Sequence, residues 1–330
     1  MMGLAGKLMA SGNANLGVNW TYQPQLSTTG WGTTSTVNAI SWNSSVFCAV
    51  SSTGKVATSS DGATWSYNGA IPGIGSNPVK CIAWNGSVFC VSGSGGYIAT
   101  SSDGITWTNR GILPSAPTTC YSIAWNGSVF CVSGSGGYIA TSSDGITWTY
   151  QSQLSTTTWA TSDGFAIAAQ GSKFCVVGTD GVNCRAATST DNGVNWTYQA
   201  GLASATISIP YCITSNGTIF CVGAASGKIA TSSDGASWTY QSSLSASAWG
   251  SGQTTSRVVN IAWSGSKFCV VGGTGTGSGG KVATSPDGIT WTYQPNLSST
   301  TWGTTVPAGI AAISTKFVVG GNAGSIATSP

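Results

Sequence analysis

Residues 82–108 read IAWNGSVFCVSGSGGYIATSSDGITWT, and residues 123–149 repeat that stretch letter for letter, 41 residues on. Self-similarity at a fixed period is the first thing to read in a sequence, because it decides the architecture before any single residue does. Weaker copies run along the whole chain. One Trp marks each: Trp20, Trp65, Trp107, Trp148, Trp196, Trp238 and Trp291. A second marker is Phe, at Phe47, Phe89, Phe130, Phe174, Phe220, Phe268 and Phe317. Successive marker Trp lie 41 to 53 residues apart, the length of four short strands with their turns.

The second copy shows how a unit reads. Lys80–Trp84 is an apolar strand A, and Asn85-Gly86 is the strongest short hairpin signal in the chain. Val88–Ser92 is strand B, the SGSGG stretch turns the chain, Tyr97–Thr100 is strand C, and Ile105–Thr108 is strand D. Strands A and B are apolar at nearly every position and do not alternate, which fits sheets covered on both faces. The last unit supplies only three strands, about 308–328, and stops at Ser329-Pro330. The fourth is at the other end. Gly17-Val18-Asn19-Trp20-Thr21-Tyr22-Gln23 matches Gly193-Val194-Asn195-Trp196-Thr197-Tyr198-Gln199. An open solenoid would not divide one unit between its ends; a ring would, and a ring leaves no free sheet edge inside it. The fold expected is all-β: a seven-bladed propeller of four-stranded blades, the last closed by about 13–24 with 308–330, and an arm at 1–12 outside it.

Composition excludes many functions. Of 330 residues 41% are hydrophobic and 6% charged, against roughly a quarter charged in an average domain. Eight Asp are the whole acidic inventory, with no Glu and no His; eight Lys and three Arg leave a net charge of +3. The usual general bases and metal ligands are missing, so neither metal nor cofactor is expected, and the scattered basic residues form no nucleic-acid stripe. The first residues, MMGLAGKLMASG, lack the apolar core of a secretory signal, and no run of 18 apolar residues exists for a membrane span. The glycine-rich Gly272–Gly280 segment lacks the Lys-Ser/Thr and helix of a phosphate loop and reads as a hairpin loop.

Six of ten Cys follow a marker Phe: Cys48, Cys90, Cys131, Cys175, Cys221 and Cys269. A Cys once per repeat is a small buried hydrophobe, and free thiols point to a reducing compartment. A two-residue turn at Asn85-Gly86 would set Cys81 opposite Cys90, and one at Asn216-Gly217 would set Cys212 opposite Cys221. Each pair is then either a cross-strand disulfide or two neighbouring thiols.

The turn between strands C and D carries Ser189, Asp191, Gly193 and Trp196, and a form one residue shorter holds Asp61, Asp103, Asp144, Asp234 and Asp287. This pattern resembles the Asp-box, the bacterial-neuraminidase repeat of sialidases and other propellers. The physical reading is structural: the carboxylate accepts backbone N–H groups, Gly takes a positive φ, and Trp covers the hairpin. For sialidase chemistry the resemblance implies an Arg triad, a Tyr–Glu pair and an acid/base Asp. This chain offers Arg110, Arg185 and Arg257, scattered, with no Glu. Only Asp163 and Asp180 lie outside the turns, and they make no glycosidase pair. No catalytic residue is expected.

A ligand is expected on the face carrying the D-to-A links, since variable loops on a rigid scaffold carry binding. Four links place Leu three residues and Trp eight residues after a Gln. The Trp are Trp31, Trp159, Trp249 and Trp302, and a fifth link has Ile207 in that place. Two readings stay open: the rings pin each link to the blades, or they are exposed platforms for sugar faces. Trp42, Trp84, Trp125 and Trp263, before the hairpins, read as structural. Near-identical blades and a Ser/Thr/Gly-rich surface resemble phage and bacterial surface propellers. The expectation is a non-catalytic bacteriophage virion structural or receptor-binding protein recognising surface glycans, located on the virion after assembly in the host cytoplasm. The alternative is a capsid decoration or assembly scaffold contacting other virion or surface proteins, and the third is a free bacterial lectin.

Overall fold

In the computed structural model, residues 15–23, 26, 30–152, 154, 159, 163–180, 183–242, 244, 249, 256–274, 280–294, 297 and 307–330 are described. They form seven antiparallel four-stranded sheets. Blade 2 is typical: Val79–Trp84, Phe89–Gly93, Tyr97–Ser101 and Thr108–Ile112 follow one another across the sheet. Strands B and C are buried at every residue, whereas strand D, outermost, is mostly exposed. The non-alternating apolar runs are therefore sandwiched between neighbouring blades. Blade 7 joins Pro307–Ile313, Lys316–Gly321 and Ile326–Ser329 to Thr21–Gln23 from the other end of the chain. Thr21, Tyr22 and Gln23 pair with Thr328, Ala327 and Ile326. The expected 1–12 arm lies outside the described residues.

Strand D starts three residues later than the sequence suggested, because the Ser-Asp-Gly turn runs through the marker Trp. Ser101 Oγ donates to Asp103 Oδ1 at 2.9 Å, and that oxygen accepts the N–H of Ile105 and of Thr106, each at 2.8 Å. Gly104 donates its N–H to Ser101 Oγ, and Trp107 Nε1 donates to the Gly104 carbonyl at 3.1 Å. Gly104 sits at φ +77, and a Cβ there would meet Thr58 Cγ2 of blade 1 at 3.0 Å, so glycine is required by conformation and by the approach of the neighbouring blade. Asp61, Asp144, Asp234 and Asp287 repeat this geometry, and Asp191 keeps it in the longer turn.

The same turn is assembled at the closure from two ends of the chain. Gly17, at φ +79, donates its N–H to Ser329 Oγ at 2.8 Å, and Trp20 Nε1 donates to the Gly17 carbonyl at 3.0 Å. Asn15 stands where the other turns carry Asp.

The hairpin register corrects the cysteine expectation. The turn centres on Gly86-Ser87, one residue later than expected: Asn85 N–H bonds the Val88 carbonyl, while Asn85 Oδ1 accepts the N–H of Ser87 and Val88. That Asx arrangement moves the pairing by two residues. Trp84 pairs with Phe89, Ala83 with Cys90, and Cys81 with Ser92; likewise Cys212 pairs with Gly223 and Cys221 with Thr214. Neither disulfide forms. All ten cysteines are free and buried.

Seven apolar clusters fill the seven junctions between blades. Each takes a marker Phe, strand residues from two adjacent blades and side chains of the intervening link. At the junction of blades 7 and 1 these include Phe47, Val318, Ile326, Leu26 and Trp31; at that of blades 1 and 2, Phe89, Val50, Ile71 and Ile74. A second device recurs in every blade. A strand-D side chain bonds the hydroxyl of a strand-C Thr: Gln23 to Thr328, Asn68 to Thr58, Arg110 to Thr100, Gln151 to Thr141, Gln199 to Thr188, Gln241 to Thr231 and Gln294 to Thr284.

Three outcomes follow from this architecture. Ser329→Ala removes the acceptor that joins the two chain ends and lowers the unfolding free energy by about 1 kcal/mol, read as a reduced urea midpoint at unchanged m-value. For the six turn carboxylates, burial alone would raise the pKa, but hydrogen bonds from backbone N–H groups and the Ser hydroxyl overcome it, and all six are lowered, Asp61 to about 2. A lowered folded-state pKa gives stability that is complete above the unfolded value, about 3.9, and is lost as pH falls through the folded value. Melting temperature therefore drops steeply between about pH 4 and pH 2, and Asp103→Asn makes that drop shallower. Burial raises the thiol pKa throughout, with Cys120 pushed up to about 12, so a thiol reagent labels no cysteine of the native protein quickly and all ten in denaturant.

Candidate functional site: the channel mouth

Strand A of every blade lines a central channel. Its cavity of about 260 Å³ is walled by residues such as Ile40, Ile82, Ile123, Ile167, Ile213, Ile261 and Ile310. Each of these strands carries a β-bulge near its start, on the face where the D-to-A links lie. The register shifts fall between Val37 and Ala39, Val79 and Cys81, Cys120 and Ser122, Asp163 and Ala166, Pro210 and Cys212, Val258 and Asn260, and Pro307 and Gly309. A bulge re-aims a side chain out of the pleat. The residues so displaced are Asn38, Lys80, Tyr121, Phe165, Tyr211, Val259 and Ala308, and with Asn260 they line the mouth of the channel, a recess of about 350 Å³.

The mouth is asymmetric. Blades 3, 4 and 5 present Tyr121, Phe165 and Tyr211, all half-buried. Tyr121 and Phe165 meet edge to face with centroids 5.4 Å apart. A cation closes each end of this arc: Lys80 Nζ lies 5.5 Å from the Tyr121 ring centre, and the exposed Arg257 guanidinium 5.7 Å from that of Tyr211. The remaining wall is small or amidic. Asn38 Nδ2 donates to the Val79 carbonyl at 2.8 Å and Asn260 Nδ2 to the Ala308 carbonyl at 2.9 Å, which fixes both amides across blade junctions. Among the described residues lining the mouth there is no carboxylate.

For the link tryptophans the sequence left two readings open, wedges or exposed platforms, and the burial of the described ones selects the wedge. Trp31, Trp159 and Trp249 are 0% exposed, so none offers a ring face to a ligand. Trp302 lies outside the described residues. The three rings are wedged between blades by the same demand for apolar filling that buries Leu26, Leu154 and Leu244 beside them. Gly227 shows the fit: at φ +67, a Cβ there would come within 2.5 Å of Trp249 Cδ1. Basic residues at the start of strand C hold the links from below. Lys55 Nζ donates to the Trp31 carbonyl and Lys281 Nζ to the Trp249 carbonyl, both at 2.7 Å, and burial lowers the Lys281 pKa.

Of the other chemistry-bearing residues, Arg110 is engaged in its blade by Thr100. Asp180 is ion-paired with Arg185, which also lies over the Tyr198 ring. No group of His, Cys, Asp or Glu able to hold a metal occurs among the described residues. A signal for the mouth was present in the sequence. The place four residues before Trp42, Trp84, Trp125, Ala169, Ser215, Trp263 and Ala312 reads Asn, Lys, Tyr, Phe, Tyr, Val and Ala around the ring, in strands otherwise alike.

No family model and no curated protein matches this sequence. Solved structures do match. The chain is similar to YCF48 bound to a D1 peptide, with TM-score 0.70, 15% identity and 96% of each chain covered. It is similar to a catalytically inactive virginiamycin B lyase of Staphylococcus aureus, with quinupristin, at TM-score 0.70 and 13% identity over 94% of this chain and 98% of that one. The WD40 propeller domain of Doa1 matches at TM-score 0.65 and 13% identity over 94% and 97%. At such identities the likeness is one of fold, and this chain is a seven-bladed β-propeller.

Proposed function

We propose that this propeller is a non-catalytic recognition module, displayed as a virion structural or receptor-binding protein, which engages a surface glycan at the channel mouth. The observation that carries the reading is the set of seven bulges. They turn one side chain per blade toward a common recess, and blades 3 to 5 fill it with aromatic rings. Aromatic faces with fixed amides beside them suit the alternating apolar and hydroxyl surfaces of a sugar.

The chemistry of the remaining groups supports binding without catalysis. Six of eight Asp are held as turn carboxylates with lowered pKa, a poor setting for proton transfer near neutral pH. The thiols are buried and protonated, and the chain has neither Glu nor His. The lyase neighbour is described as inactive when one histidine is replaced. The Ser-Asp-Gly-Trp turns support kinship with Asp-box propellers, whose shared feature is architecture. A second reading, an assembly scaffold holding a protein segment at the same mouth, draws support from the neighbour solved with a peptide.

A glycan array probed with the purified protein decides between these. Binding is expected to one class of surface glycan, and Tyr121→Ala or Tyr211→Ala is expected to weaken it about tenfold or more. Binding that ignores both substitutions, or none at all, removes the glycan reading. A peptide captured at the mouth and lost in the same variants favours the scaffold.

A further inference from the structure

At the opposite end of the channel, strand A ends in Trp42, Trp84 and Trp125 on three consecutive blades. Each ring is half-buried and leans on the Phe across its hairpin, with centroids 4.4, 4.7 and 4.8 Å apart. The sequence suggested packing alone. Their indole nitrogens argue otherwise. All seven turn tryptophans donate Nε1–H to a glycine carbonyl. Trp42, Trp84 and Trp125 have no acceptor among the described residues, and their nitrogens are not sealed in the core. A ring needed only for its apolar area gains nothing from an indole N–H turned to water.

The rim repeats as well. Asn43, Asn85 and Asn126 lock each hairpin through Oδ1. Ser45, Ser87 and Ser128 beside them are exposed, and their hydroxyls bond to no described residue. Charge is absent from these three hairpins, where Val46, Val88 and Val129 precede the Phe. Blades 4, 6 and 7 have Lys there, tied to carbonyls of the next turn, and blades 4 and 7 replace the Trp by Ala169 and Ala312. Blades 1 to 3 thus form a lysine-free tryptophan sector; blade 6 keeps Trp263 but sets Lys267 beside it, and blade 5 has Ser215 and Ile219 in these places.

We propose that the Trp42–Trp84–Trp125 arc is a binding surface for an uncharged polysaccharide of repeating units, successive sugars stacking on successive indoles while serine hydroxyls and indole N–H groups meet their hydroxyls. Three like positions on consecutive blades suit a polymer, and the exposed turn carboxylates Asp103, Asp144 and Asp191 on the same face, with no lysine on these hairpins, disfavour an acidic one. The proposal shares the ligand class of the preceding reading but uses the opposite face, so each fails separately.

Titration calorimetry with soluble mannan, dextran and laminarin tests it. One of the three binds the wild type; Trp84→Ala and Trp125→Ala each weaken it about tenfold, and the double variant abolishes it. Since these rings also pack, Ser128→Lys crowds the arc from an exposed position without touching the core, and it weakens binding too. Trp84→Phe keeps the packing and retains part of the affinity. The proposal is overturned if none of the three binds the folded wild type, if binding survives both the double variant and Ser128→Lys, or if Tyr121→Ala abolishes it while Trp84→Ala does not.

Discussion

The apolar wedge between adjacent blades is the constraint from which the rest of this molecule follows. A four-stranded sheet buried on both faces has no stable existence alone, so each blade needs two neighbours, and only closure supplies them to all. Magnitudes rank the devices. Truncating a fully buried Phe such as Phe89 or Phe220 costs about 3–5 kcal/mol, whereas a single turn hydrogen bond contributes about 1 kcal/mol. The wedges hold the ring; the Ser-Asp-Gly turns and the Gln–Thr bonds set its geometry. The low charge follows too, because so much of each strand is interior and the Asp that remain are used as turn locks.

A closed ring also fixes where freedom remains. Strands B and C and the links are engaged in packing, as the buried Trp31, Trp159 and Trp249 demonstrate for the links. Around the channel, strand A has one side toward open space, and the bulge near its start supplies a position whose side chain leaves the sheet. Variation there costs little stability, so residue choice at the mouth is released from the demands of folding.

The architecture was legible because its determinants are local and repeated: the marker Trp and Phe, the Asn-Gly hairpins, and the divided last unit matched by Gly17 to Gln23. Register was less legible, since Asn85 caps its own hairpin and moves the turn by one residue, enough to separate Cys81 from Cys90. The role of the link tryptophans stayed open for a physical reason. A Trp in a polar loop has the same letters whether its ring faces water or a wedge, and only the closed ring reveals that the links at Trp159 and Trp249 fold inward. The varied letter at Tyr121, Phe165 and Tyr211 was visible in otherwise like strands, but only the bulge, which has no motif of its own, shows that these side chains leave the sheet.

The two identical stretches carry this separation of roles furthest. Residues 82–108 and 123–149 hold the inner strand's core, the hairpin, the buried strands B and C and the whole turn, and there they do not differ at all. Lys80 and Tyr121 lie two residues before the identity begins, and they are the positions the bulges turn into the mouth. The hairpin Trp84 and Trp125 lie inside it. One face of the channel is therefore built from residues that differ between otherwise duplicate blades, as a surface fitted to one shape requires. On the opposite face the two duplicate blades share Trp84 and Trp125, copied with the blade, whereas blades 4 and 7 carry Ala169 and Ala312 in that place.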